Sequence, residues 1–331
     1  MTHTVLFRCD AGPEHGLGHL SRCLTLAQAF AAVKQPCLFK VHAPDHILAR
    51  VRNAGFDVSF CRHPVGHTDE MEPWDIPASI RTIILDSKNI SHDLVARCSA
   101  TAIVTCIDDE VSRDLPCHFT INNHPWASSG DYTALPDRQL LIGPGYNTVA
   151  AAYFSAASPR RFGLMISLGG EDPHNHTAWL ISLLSPMIQN IPVTIIIGPA
   201  HPAAKATCEL ARDLIPHADI ALAPASLAPF AERSHIAIGA AGTASYEFAA
   251  AGIAMALIAV EDHQMRLAQT MAREGAALMM GSHDALDAIQ ARDTYIRLTQ
   301  SDTIRNLSAS GKKLFPAPGA DRIVNAITAR M

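Results

Sequence analysis

The residues with the most chemical potential in this chain fall in three glycine-containing stretches. The first runs from Arg8-Cys9-Asp10 to Gly16-Leu17-Gly18-His19. Gly16 and Gly18 allow a ligand close to the backbone, and His19 stands where a helix must begin. A helix N-terminus disfavours imidazolium, which suits His19 to act as a base; the alternative is a helix-terminal histidine that satisfies local backbone. The run lacks the third glycine of a dinucleotide fingerprint, and no G-K-[ST] phosphate loop occurs. The second stretch is Gly169-Gly170-Glu171-Asp172-Pro173, where a glycine pair lets a diphosphate or sugar lie against the backbone, or simply makes a tight turn. His174 and His176 follow without a carboxylate partner at fixed spacing, so no metal is expected. In the third, Gly239 to Glu247, the hydroxyls of Thr243 and Ser245 beside helix-terminal amides and Gly242 suit a phosphate. Glu247 lies in an apolar segment and needs donors, which ribose hydroxyls, an ion pair or the helix dipole would supply.

These stretches need elements to hold them. Short apolar runs alternate with helical periodicity, the pattern of parallel sheets with crossover helices, so the fold class is α/β. In the first half the pattern predicts strands at 5–8, 37–41, 82–85, 102–107 and 140–142, with a helix over 20–33. A second series predicts strands at 164–168, 193–197, 220–222, 236–238, 254–260 and 278–280. Helices are expected at 179–189, 203–214, 264–274 and 284–291, and a last one over 321–331 after the breaker run 316–319. The stretch 153–161 has neither periodicity and contains Pro159, so it reads as the linker between domains 1–154 and 155–331, with the last helix free to return to the first. In open α/β sheets ligands bind beyond the carboxyl ends of strands, where all three stretches fall.

Composition narrows the function classes. A chain of 331 residues suits two domains at about 150 residues each. Hydrophobic residues make up 48% and charged ones 17%, which excludes intrinsic disorder. A net charge of -5 without a basic run argues against nucleic acid or an anionic membrane as partner. Eight scattered cysteines without a C-x-x-C pair read as thiols of a reducing compartment. The opening MTHTVLFRCD has no basic region before a long apolar stretch, so a cytoplasmic location is expected. The nearly uncharged segment 236–260 is long enough to cross a bilayer, yet Gly239, Gly242, Gly252 and Glu247 divide it into strand, turn, helix and strand.

Taken together, the motifs resemble the UDP-sugar hydrolases of the pseudaminic-acid pathway. The resemblance rests on R-x-D followed by G-x-G-H and an arginine (Arg8, Asp10, Gly16, Gly18, His19, Arg22) and on S-L-G-G-x-D-P over 167–173. It continues in G-A-x-G-T with a downstream glutamate (239–247) and in D-x-Q before a helix ending E-G-A-A (Asp262, Gln264, 274–277). It covers nearly the full chain, including Asp108-Asp109, Cys117, Asn122, Tyr132 and the run 141–146.

These enzymes act on UDP-2,4-diacetamido-2,4,6-trideoxy-β-L-altropyranose and are similar to the MurG-like GT-B glycosyltransferases. The resemblance implies two Rossmann-like domains facing across a cleft, with UDP held mainly by the C-terminal one. It implies that Glu247 binds ribose, that Thr243, Ser245 and Gly242 hold the diphosphate, and that Gly169-Gly170 borders the sugar phosphate. His19 matches the catalytic histidine that activates water, with Asp10, Gly16 and Gly18 on the sugar side and neither metal nor cofactor. Two departures bear on the sugar. Asp86-Ser87-Lys88 stands where the family has Asp-His-Tyr, and His263-Gln264 where it has Asn-Gln. Lys88, His263 and Gln264 are therefore the expected sugar-specific contacts. Two other functions fit the same motifs: a metal-independent inverting glycosyltransferase with a UDP-sugar donor, and a nucleotide-sugar binding protein without catalysis.

Overall fold

The computed structural model describes residues 3–12, 15–67, 77, 79–111, 114–155 and 163–331. The chain divides into two units, Met1–Val149 with Pro318–Met331, and Ala150–Ala317.

The first unit opens with β1 (Thr4–Asp10), α1 (Gly18–Ala32), β2 (Cys37–His42), α2 (Asp45–Asn53) and β3 (Asp57–Phe60). It continues through β4 (Ile80–Asp86), α3 (His92–Ser99), β5 (Ile103–Ile107), β6 (Phe119–Asn122) and β7 (Gln139–Ile142). All seven strands are parallel, in the order β3-β2-β1-β4-β5-β6-β7. Helices cover both faces, which is why β1 is buried along nearly its whole length and reads as an apolar run. Phe7 of β1 stacks on Phe39 of β2 at 4.9 Å and meets Phe30 of α1 edge-on at 6.2 Å.

The second unit begins with the short helix α4 (Ala152–Ser155), then β8 (Leu164–Ser167), α5 (His176–Leu184), β9 (Val193–Ile197), α6 (Ala204–Leu214) and β10 (Asp219–Leu222). There follow α7 (Ala228–Ala231), β11 (Ile236–Ala240), α8 (Ala244–Ala251), β12 (Ala254–Ala259), α9 (Met265–Arg273), β13 (Leu278–Ser282), α10 (Ala288–Leu298) and α11 (Ser301–Leu314). Its six strands are also parallel, in the order β10-β9-β8-β11-β12-β13. The last helix, α12 (Ala320–Thr328), packs on α1 in the first unit and buries Ile323, Val324 and Ile327 there.

The two sheets share one topology. Each builds outward from its first strand to one edge and then restarts on the other side, so a switch point lies between β1 and β4 and another between β8 and β11. In such sheets ligands bind beyond the carboxyl ends of the strands at that point.

Several elements differ from the hydropathy reading. The strands β3 and β6 were not expected from it; each is four residues long, and β3 is an exposed edge. The helices α2, α3 and α11 carry too many charges or small residues for their apolar stripes to stand out. A helix expected over 284–291 starts later, because Asp287 caps it by accepting from the Gln290 amide at 2.8 Å. The expected linker 153–161 begins inside α4, with Tyr153 buried, and residues 156–162 lie outside the described residues. The uncharged segment 236–260 resolves into β11, α8 and β12, and no helix among the described residues is long and apolar enough to cross a membrane.

Candidate active site

His19 lies in the first turn of α1, directly after β1 and beside the first switch point. Its Nδ1 lies 2.7 Å from Oδ1 of Asp86, the last residue of β4. Arg22, one turn along α1, holds the same carboxylate through Nε at 3.0 Å and Nη2 at 2.7 Å. It also clamps Asp109 after β5, through Nη1 at 2.6 Å and Nη2 at 2.9 Å. Beyond Asp109, Nε2 of His124 lies 3.2 Å from Asp109 Oδ1.

Proton counting assigns the tautomer of His19. Nη2 of Arg22 has two protons, and both point to carboxylate oxygens, so the 3.0 Å approach of Nη2 to His19 Nδ1 is a packing contact. Nδ1 therefore donates its own proton to Asp86. That leaves the lone pair on Nε2, which has no hydrogen-bond partner among the described residues. A carboxylate that orients the imidazole and supports its positive charge is the arrangement general-base catalysis requires.

The surrounding charges stay ionised. Burial opposes the charge on Asp109, but Arg22 and His124 outweigh it and hold the carboxyl well below its ordinary range. Burial likewise opposes the charge on Arg22, while Asp109 and Asp86 raise its affinity for the proton.

Asp10 is placed differently from its expected sugar contact. Its side chain is 0% exposed, and its oxygens accept from Arg8 at 2.8 Å, Ser87 Oγ at 2.8 Å and the Val65 amide at 3.0 Å. These bonds use the carboxylate to tie down the loops after β3 and β4. Gly16, at φ +68°, exchanges two backbone hydrogen bonds with Gly12 and closes the loop ahead of α1, which Gly18 opens. Lys88 is exposed on the loop after β4.

In the second unit, the turns after β8 and β11 meet at the second switch point. Gly239 pairs with Ser167, and a Cβ on Gly169 would touch Ala240 at 4.0 Å. The space beside Gly170 and Gly242 is open. The two helix starts differ in what they offer an anion. At α5, Asp172 accepts from the His176 and Thr177 amides at 2.9 and 2.8 Å and Asn175 accepts from Ala178, so those donors are taken. At α8 no side chain caps the first turn, and Thr243 is half-buried beside it. Ser245 is fully buried and donates to the Gly242 carbonyl at 2.6 Å, so its hydroxyl serves the turn itself.

Glu247 lies on α8 within reach of Tyr153. Desolvation pushes its carboxyl up to about 7, and the hydrogen bond from the Tyr153 hydroxyl works against that rise. After β12, Oε1 of Gln264 accepts from the Val260 amide at 3.2 Å, and exposed His263 pairs with Glu261 at 3.1 Å.

Asp86, Asp109 and His124 did not stand out as partners of His19 in the sequence. The available signal was positional for Asp86 and Asp109, which stand at the ends of apolar runs where a parallel sheet gathers its functional side chains, whereas His124 follows β6, a strand the hydropathy did not reveal.

No protein-family model matches this sequence, and neither does any curated protein. Among solved structures, the chain is similar to MurG of Acinetobacter baumannii, with a TM-score of 0.66 and 14% identity over 99% of this chain and 100% of that one. It is similar to the rhamnosyltransferase of spinosyn, SpnG, solved with thymidine diphosphate, with a TM-score of 0.66 and 16% identity over 98% and 100%. It is also similar to HepE of Anabaena in complex with UDP and glucose, with a TM-score of 0.65 and 9% identity over 99% and 100%. Identities this low speak to the fold alone. The chain has the MurG-like GT-B fold, with two Rossmann-like domains each built on a parallel sheet.

Proposed function

We propose that this chain is an enzyme that hydrolyses a UDP-linked sugar at its anomeric carbon. The substrate is UDP-2,4-diacetamido-2,4,6-trideoxy-β-L-altropyranose or a related sugar of the nonulosonic-acid pathways, and the products are UDP and the free sugar. The observation that carries this reading is the His19–Asp86 pair, with Nε2 bearing the lone pair at the first switch point. Nε2 takes a proton from water as the water oxygen bonds to the anomeric carbon, and Asp86 stabilises the imidazolium that results. The bond from the anomeric carbon to the phosphate oxygen breaks, and UDP leaves with that electron pair. Attack from the face opposite UDP inverts the configuration.

UDP is the task of the second unit in this reading. The uncapped first turn of α8, with Gly242 and Thr243, receives the diphosphate charge, and Gly169 and Gly170 border it. Glu247 accepts from the ribose hydroxyls. Lys88 in the first unit and His263 and Gln264 in the second are the residues this reading assigns to the sugar substituents. The fold neighbours solved with UDP and with thymidine diphosphate support a nucleoside diphosphate as the bound group.

A second reading, transfer of the sugar to a hydroxyl acceptor, draws on the rhamnosyltransferase among the neighbours. The two separate on UDP release from UDP-linked 2,4-diacetamido sugars. Release without any acceptor is the expected result. Release only after a saccharide acceptor is added would replace hydrolysis with transfer.

A further inference from the structure

Five side chains of the first unit form one continuous chain of hydrogen-bonded charge: His19, Asp86, Arg22, Asp109 and His124. Arg22 lies at the centre, with Asp86 bonded along its Nε–Nη2 edge and Asp109 along its Nη1–Nη2 edge. Each carboxylate has an imidazole as a further partner, His19 on Asp86 at 2.7 Å and His124 on Asp109 at 3.2 Å. The ring of His124 is held by stacking on Trp126, with centroids 4.8 Å apart and planes 12° from parallel. Two carboxylates against one guanidinium leave one negative charge, so two imidazoles compete to carry the proton that balances it. The side chains of Asp86 and Arg22 are only 1% and 6% exposed, so water does little to mask the imbalance at the centre, while Asp109, at 35%, is partly screened.

We propose that His124, acting through Asp109 and Arg22, is a positioning residue for His19 that sets the pH range in which its imidazole is free to accept a proton. This rests on the reading of His19 as the base. A proton on His124 draws on the charge of Asp109, which leaves more of Arg22 for Asp86 and less of Asp86 for an imidazolium at His19. With His124 unprotonated, Asp109 neutralises Arg22 and Asp86 supports His19 more fully.

Among the described residues, the other charged and titratable groups nearby are engaged elsewhere except the Cys23 thiol, which donates to Asp86 Oδ2 at 4.0 Å and, with its proton affinity raised by burial, adds no charge to the chain. On β1, Arg8 and Asp10 pair with each other, and Cys9 lies against Cys23 of α1, whose thiol burial and Cys9 push well above its ordinary range. After β4, Ser87 donates to Asp10 and Lys88 is exposed. After β5, Asp108 accepts from the Glu110 amide at 3.1 Å and faces the Tyr132 hydroxyl.

The test is an NMR titration of the His19 imidazole in the free full-length protein, in wild type, His124→Gln and Asp109→Asn. Glutamine keeps an amide donor but cannot take up charge, so the His19 titration should move to higher pH. Asparagine removes one negative charge from Arg22, so the titration should move to lower pH. Each shift should lie between roughly 0.4 and roughly 1.5 pH units, the span for a unit charge acting over ~8 Å at an effective dielectric constant from ~80 down to ~20. The acid limb of the pH–rate profile for UDP-sugar turnover should follow in the same two directions. Altered packing alone gives no reason for opposite shifts. Titrations that stay put in both variants, or move the same way, overturn the proposal, and His124→Gln decides by its sign alone if Asp109→Asn does not fold. Opposite shifts in a protein that releases no UDP from any UDP-sugar would uphold the coupling and overturn the hydrolase reading.

Discussion

His19 and Glu247 are the two side chains on which the proposed chemistry turns, and they fail in different ways when altered. Replacing His19 with glutamine removes the base but leaves the second unit untouched. Turnover should fall by at least about a hundredfold, while the dissociation constant for UDP measured by calorimetry stays within about twofold. Asp86→Asn should cost a similar factor in kcat, because the amide can neither hold the Nδ1–H tautomer nor support an imidazolium. A loss of UDP affinity in either variant would make His19 a phosphate ligand instead. Glu247 predicts a pH dependence of its own. Folding raises its carboxyl to about 7, so its contribution to stability is fully present below the ordinary carboxyl range and is lost as pH rises through about 7. Ribose hydroxyls donate best to the ionised form, so UDP affinity should change in the opposite sense, rising roughly tenfold between about pH 6 and about pH 8. Glu247→Gln should flatten that dependence. A flat profile in the wild type would remove Glu247 from the ribose site.

The elements around these side chains set how much change they tolerate. The turn after β8 is pressed against Gly198 at the end of β9, where a Cβ would run into the carbonyl oxygens of Gly169 and Gly170. Backbone atoms cannot move aside as a side-chain tip can, so Gly198→Ala should destabilise the second unit by about 2 kcal/mol or more, readable as a lowered denaturant midpoint. The β1–α1 connection is held from beneath. Asp10 gathers Arg8, Ser87 and the Val65 amide, while Arg22 clamps Asp86 and Asp109 one helical turn beyond His19. Helix and strand ends fixed in this way let a histidine in the first turn keep one orientation, which a loop residue would not. At α5 the side chains of Asp172 and Asn175 consume the donors, whereas at α8 the Ser245 and Tyr246 amides bond back to the Gly242 and Thr243 carbonyls and no side chain caps the turn, so the proposed reading seats the diphosphate after β11 rather than after β8.

At the scale of the whole molecule, the chain returns to its first unit at the very end. The α12 helix buries Ile323, Val324 and Ile327 against the α1 side of the first sheet, and Gly319 sits against the backbone of Asn147. A chain ending at residue 317 should therefore lose the first unit's cooperative unfolding transition and keep the second's, as followed by calorimetry or hydrogen exchange. Equal loss in both units would show that they unfold as one.

Much of this plan is legible without coordinates. Apolar runs of four to seven residues, separated by helical periods and ended by Gly16, Gly169 or Gly242, announce parallel strands with loaded loops, because both signals arise from residues adjacent in the chain. The strands β3 (Asp-Val-Ser-Phe) and β6 (Phe-Thr-Ile-Asn) are interrupted by polar residues and leave no apolar run, and the start of α10 depends on the single cap Asp287. The partners of His19 and Arg22 lie on other scales entirely: Asp86 is 67 residues from His19, and Asp109 is 87 from Arg22. What the sequence by itself determined was the pair of α/β units and the loops that carry His19, Gly169-Gly170 and Glu247. Only the tertiary structure decided that Asp86 orients His19, that Asp10 and Ser245 turn inward, and that Arg22 joins Asp86 to Asp109 and His124. The physical reason is the order of the parallel strands, which places β4 beside β1 and β5 beyond it and so brings together side chains that no local pattern connects.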